Sequence, residues 1–220
     1  MYNVYWGDKP QNFGDVLTGK LLEHFGISYN HTNIHEKGNL FVIGSIARLA
    51  QFGAKVVGSG IIRKNENLNP MVNWKSVRGP LTRKRIIECG GECPEIYGDP
   101  ALLLPMICQP EEKKHKIGLV PHYQDYKRVT NLQEKYHLIN VVNENPLEVA
   151  KEISKCEKII SSSLHGIICA HAYEIPAARI TLSNLYGDGS KFDDYYEVVE
   201  VESTISTIDN PKYTIGKIPD

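Results

Sequence analysis

Residues 158–182, KIISSSLHGIICAHAYEIPAARITL, hold the chain's densest set of groups able to do chemistry. The pattern predicts a short apolar strand, a polar turn of Ser161, Ser162 and Ser163, a helix with His165 and Gly166 in its first turn, and a second strand. The first N–H groups of a helix have no partner within it, and that end carries a partial positive charge. Phosphates and carboxylates bind at such ends. The serines add hydroxyl donors and an N-cap. Gly166 permits close approach of a ligand or a neighbouring backbone, and His165 is placed to exchange a proton with a bound anion. The plainer reading is a serine-capped helix with an incidental histidine, and this segment alone leaves both open.

Other candidates sit where strands are expected to end. Arg78 follows the predicted strand 74–77 and precedes Gly79-Pro80. An arginine there can grip a carboxylate or phosphate with two parallel bonds, or be an ordinary surface residue. Asn12 and Asp15 lie between the first strand and its helix; Asp15 either caps that helix or meets an acceptor hydroxyl. Ser59 and Gly60 close the strand 55–58, and Asp99 either caps a turn after Gly98 or meets a ligand. His122 follows the strand 116–120 and faces a cleft or serves only as a loop residue. Lys191 ends a Gly-, Asp- and Ser-rich loop, 184–191, which either closes over an anion or is merely solvated. His171 lies six residues beyond His165, a rotation of roughly 600° that points the two apart. No other histidine has ligand spacing, so no metal site is expected. Neither a G-x-G-x-x-G turn nor a P-loop occurs.

The elements that must position these residues alternate. Strands are predicted at 3–6, 40–43, 55–58, 74–77, 95–97, 116–120, 138–142, 158–160, 177–182 and 195–201. Helices are predicted at 16–25, 46–51, 81–89, 146–156, after Ser163, and over 203–209. This alternation predicts an α/β fold with parallel sheets and crossover helices. The charged stretch 106–116 reads as a linker. It divides the chain into two Rossmann-like halves, 1–107 and 108–220. Ligands of such sheets bind beyond the C-terminal strand ends, which is where the candidate residues gather.

Composition excludes several classes. The net charge is −1, with no basic stripe, so a nucleic-acid partner is not expected. No apolar run reaches the roughly 20 residues needed to cross a bilayer, and the opening MYNVYWGDKPQNFGD does not read as a signal peptide. The five cysteines are odd in number and form no C-x-x-C pair, which argues for reduced thiols in a cytoplasmic protein.

An ordered set of short motifs carries a resemblance: NFGDVL at 12–17, VIGSI at 42–46, VVGSGI at 56–61, VRGPLT at 77–82, YGDPALLLP at 97–105, IGLVPHYQD at 117–125 and SSSLHGIICAHAYEIPA at 161–177. Together they resemble the polysaccharide pyruvyl transferase family. The resemblance implies a two-domain architecture like that of B-type glycosyltransferases. It implies transfer of a pyruvyl group from phosphoenolpyruvate to sugar hydroxyls, forming a pyruvate ketal in exopolysaccharide or capsule synthesis, with no cofactor. His165 corresponds to the family's essential histidine, Arg78 to an arginine that holds phosphoenolpyruvate, and Lys191 to a basic residue after the last core strand. The first half would face the acceptor, a lipid-linked or nucleotide-linked sugar reached by peripheral contact with the membrane's inner face. The second half would face the donor. The rival expectations are a nucleotide-sugar glycosyltransferase and a non-catalytic sugar-binding subunit.

Overall fold

In the computed structural model, residues 1–184 and 186–219 are described. Strand β1 (Tyr2–Tyr5) leads to helix α1 (Phe13–His24), whose Leu17, Leu21 and Leu22 recur at helical spacing and are buried. Phe25, at its C-cap, stays 47% exposed. Strands β2 (Tyr29–Thr32), β3 (Leu40–Phe41), β4 (Lys55–Val57) and β5 (Asn73–Ser76) complete a parallel sheet of order β2-β1-β3-β4-β5. Helix α2 (Pro80–Glu88) opens on a proline, whose fixed φ suits a first turn. Helix α3 (Leu104–Ile107) closes the first half, and residues 108–114 lead to the second sheet.

That sheet holds β6 (His115–Val120) and β7 (His137–Leu138), then, after α4 (Pro146–Ser154), β8 (Cys156–Ser161), and, after α5 (Leu164–Ala172), β9 (Ala177–Arg179). Its order is β7-β6-β8-β9, again parallel throughout. Asn145 caps α4 by accepting from the Leu147 N–H at 3.2 Å. Helix α6 (Ser190–Val198) follows β9 and packs on α2 of the first half.

All nine residues of α5 are buried. A helix apolar on every side must be surrounded, and α5 rests on α4, β8 and β9 while meeting the 3-10 turn Pro100–Leu103 from the first half. A single apolar cluster accordingly runs from Val4 and Leu17 to Ile159 and Ile167. Each such aliphatic side chain contributes about 1.5–3 kcal/mol when fully covered. The site helix is thus anchored on every side by packed elements.

Several expected elements differ. The helix over 46–51 is only a 3-10 turn, Ala47–Leu49, too short for α hydrogen bonding. The strand over 95–97 reduces to one bridge, Val77 to Tyr97, and that over 138–142 to β7 plus a bridge from Val142 to Asn12. Strand β2 was not expected, because YNHT is half polar and sits at a sheet edge. The strand over 195–201 is instead the end of α6: Phe192, Tyr195, Tyr196 and Val199 are buried at spacings of three, four and seven. No helix forms over 203–209, where Ser206 bridges to Ile180. Helix α1 begins at Phe13, which puts Asn12 at the N-cap and Asp15 inside the first turn, so Asp15 is not the cap. Among the described residues, no helix is long and apolar enough to cross a membrane.

Candidate active site

A cavity of about 180 Å³ lies where the C-terminal strand ends of both sheets approach each other. From the first half it receives Asn12 and Asp15 after β1, Ser45 after β3 and Ile62 after β4. From the second it receives His122 and Tyr123 after β6, Ser163 and His165 after β8, and Lys191 from the first turn of α6. Parallel sheets place loop residues of different strands at this edge, which is why residues distant in sequence meet here.

His165 is 8% exposed. Its Nε2 lies 3.7 Å from Asp99 Oδ2, and neither atom has a hydrogen-bond partner among the described residues. Asp99 Oδ1 accepts from the Ala101 N–H at 3.0 Å, so Asp99 both caps a turn and flanks the histidine. Nε2 is turned toward Asp99, which leaves Nδ1 as the nitrogen available to the cavity. Nδ1 lies over Gly14, where a Cβ would come within 1.9 Å of it. Gly14 is therefore a glycine because the imidazole occupies the space of its missing side chain.

Asp15 stands on the same wall. Burial raises its carboxyl above the usual range, against the lowering effects of His165, the Asn12 amide and Lys191. Asn12 Nδ2 donates to its Oδ2 at 3.1 Å. Lys191 is held down to about 8, first by burial and then by Arg78 and Arg179, with Asp15 pulling the other way. His122 is pushed down to about 4 by burial and by Lys191, so it is neutral at pH 7. The cavity thus holds one imidazole that faces a carboxylate at 3.7 Å, one carboxyl on the opposite half and one ammonium with no hydrogen-bond or ion-pair partner among the described residues. It can exchange protons with an anionic molecule and hold its charge.

Lys191 is helical rather than in the expected loop: α6 begins at Ser190, whose N–H donates to Asp188 Oδ1 at 3.0 Å. Of that loop, Leu185 lies outside the described residues. Arg78 does not line the cavity. It is fully buried, with Nε and Nη2 on Asp194 Oδ2 at 3.1 and 3.0 Å. Its Nη1 donates to Ser45 Oγ at 2.8 Å, and Ser45 does face the cavity. Asp194 also accepts from the Thr82 N–H and hydroxyl at 2.8 and 2.7 Å. Arg78 therefore positions Ser45 and clamps α6 to the first half. Gly60 leaves room for this guanidinium, since a Cβ there would sit 2.5 Å from it. Ser59 is buried and donates to the Gly44 carbonyl at 2.8 Å. Gly166 lets α5 close on Val120 and Ser161 and does not reach the cavity. Ser163 is the N-cap of α5 but makes no side-chain cap; Ser161 Oγ instead accepts the Ser163 N–H at 2.9 Å. Ser162 receives the His122 N–H at 2.9 Å and opens on an adjoining chamber.

Ser45 lies in the VIGSI motif at a strand end, where ligand-facing residues are expected; Tyr123 was not singled out, although it adjoins His122. Asp194 could not be singled out: it is separated from Arg78 by 116 positions and lies just before the run 195–201 that reads as a strand.

Residues 68–184, just over half the chain, match the model of the polysaccharide pyruvyl transferase family. An uncharacterized protein of Acanthamoeba polyphaga mimivirus is 28% identical over 214 residues, covering 90% of this chain and 75% of that protein. The succinoglycan biosynthesis protein ExoV of Rhizobium meliloti (strain 1021) is 25% identical over 218 residues, covering 91% of this chain and 66% of that protein.

Proposed function

The chain belongs to the polysaccharide pyruvyl transferase family, and we propose that it moves a pyruvyl group from phosphoenolpyruvate to two hydroxyls of a sugar, closing a pyruvate ketal. The observation that carries this reading is the His165–Asp99 pair beside the enclosed Asp15 and Lys191. Phosphoenolpyruvate offers an enol carbon that must gain a proton, and a carboxylate and phosphate that must be held.

In this reading a sugar hydroxyl attacks C2 while His165 delivers a proton to C3. Asp99 stabilises the imidazolium and fixes its ring, and Asp15 takes the hydroxyl proton. The C2–O bond to phosphate then breaks with its electron pair leaving on phosphate. A second hydroxyl adds to the oxocarbenium centre and closes the ketal. Over the cycle one acceptor proton ends on the new methyl group and the other on phosphate. Positioned acid–base groups of this kind are worth about 10²–10⁴-fold, and Lys191 stabilises the developing phosphate charge. Arg78 acts through Ser45 rather than on the donor.

The two parallel sheets with facing C-terminal edges support a B-type glycosyltransferase-like arrangement, with 1–107 on the acceptor side and 108–220 on the donor side. The acceptor is a lipid-linked or nucleotide-linked sugar of an exopolysaccharide or capsule precursor, met in the cytoplasm. The test is phosphate release from phosphoenolpyruvate with a panel of diol-bearing sugar acceptors. Acceptor-dependent release, reduced about 10²–10⁴-fold in a folded His165→Ala variant, supports the reading. Release that is unaffected by His165→Ala contradicts it.

A further inference from the structure

We propose that a second chamber beside the His165 cavity is a phosphate-monoester subsite in which Arg179 and Lys191 together hold the dianion. This rests on the donor reading above and assigns a place to the donor's phosphate. The chamber measures about 300 Å³ and shares Lys191 with the His165 cavity. Ser162 faces this chamber while the next residue, Ser163, faces the other, so the two meet along the turn between β8 and α5.

Arg179 ends β9 and is 8% exposed. Only its Nη1 is engaged among the described residues, with Ser203 Oγ at 3.2 Å and Asp193 Oδ1 at 3.5 Å. Asp193 is itself 46% exposed and shares its charge with solvent. The guanidinium carbon stands 4.0 Å over the Phe192 ring, which fixes the plane of the fork. A Cβ on Gly189, whose φ is +92°, would lie 3.0 Å from Nη2, so a glycine lets the guanidinium approach the start of α6. Asp188 also lines the chamber, but both its oxygens are already engaged, by Ser190 and by the Lys64 N–H. The helix end is therefore capped, and the anchors are the two side chains. Two largely buried cations facing one chamber repel each other, and each pays for lost hydration. An anion with several acceptor oxygens relieves both costs, and a planar guanidinium matches phosphate geometry. A phosphate placed here leaves the enol carbons on the Lys191 side, toward His165.

The experiment is calorimetric titration of wild type, Arg179→Gln and Lys191→Met with inorganic phosphate, phosphoenolpyruvate, pyruvate and uridine diphosphate. Phosphate and phosphoenolpyruvate should compete, and each substitution should weaken both by about 10- to 100-fold while leaving pyruvate unchanged. Arg179→Lys, which keeps the charge and loses the fork, gives the same readout if Arg179→Gln melts early. Wild-type phosphoenolpyruvate affinity in folded Arg179 variants overturns the subsite, and with pyruvyl transfer intact it does so without touching the function. Arg179-dependent phosphate binding without any transfer upholds the subsite and sinks the donor reading. Tight uridine diphosphate binding with none of phosphoenolpyruvate reassigns the chamber to a nucleoside diphosphate and overturns the monoester.

Discussion

Replacing Lys191 by methionine should make the protein more stable and less able to bind its donor. The ammonium is pushed from 10.5 down to about 8 by burial and by Arg78 and Arg179. That fall corresponds to about 3 kcal/mol against the charged form at pH 7. The side chain keeps some access to the cavity, so removal of the charge should return about 2 kcal/mol, for a chain of this size a rise in Tm of about 4–8 °C. Methionine fills most of the same volume without a charge. Donor affinity should fall about 10- to 100-fold, because a charged hydrogen bond is lost. The pH dependences run in opposite senses. Between about 8 and 10.5 the unfolded chain holds a proton on Lys191 that the folded chain lacks, so wild-type stability gains on the variant as pH rises through that window. Donor binding to wild type falls over the same window as the ammonium is lost. Differential scanning calorimetry and phosphoenolpyruvate titration at pH 7 and 9 read both. A Lys191→Met variant that melts lower and binds the donor as wild type does would refute the reasoning.

Three further outcomes follow from the geometry. Arg78→Met strands the Asp194 carboxylate in a fully buried site and should cost about 3–5 kcal/mol in urea unfolding, with Arg78→Met/Asp194→Leu recovering much of it; a single variant as stable as wild type removes the clamp. Gly14→Ala puts a methyl group into the His165 ring, so turnover should fall by at least about tenfold with phosphate affinity kept, and an unchanged kcat would show that the imbedded ring position is not required. His122, held near 4 by burial, binds its proton more weakly folded than unfolded, so stability is lost as pH falls from about 6.5 to 4; His122→Gln should flatten that part of the acid melting curve, and an unaltered curve would contradict it.

The strand ends and the buried site helix were legible because their signals are local. The α5 segment is buried along its whole length and preceded by serines, and the Gly-containing turns after β3, β4 and β5 mark where parallel strands stop. Pairing across the chain was not legible. Arg78 reads as a ligand-facing arginine until Asp194 and Ser45 are seen to engage it, and Asp194 directly precedes YYEVV, whose aromatic and branched residues mimic a strand. The helical period of Phe192, Tyr195, Tyr196 and Val199 was present and outweighed the composition. Arg179 was hidden for a related reason: inside the expected strand 177–182 it looks like one polar residue of an edge strand, whereas β9 ends at it and Phe192 of α6 packs against its guanidinium.

The central claim is most directly tested by the fate of the donor's C3. The protein, phosphoenolpyruvate and a diol-bearing sugar acceptor are incubated in deuterated water, and the product methyl group is followed by NMR together with phosphate. The account predicts one ketal methyl bearing a single deuteron for each phosphate released, and no such product from His165→Ala. Consumption of a nucleotide sugar in place of phosphoenolpyruvate, or an equal yield of ketal from His165→Ala, would contradict it.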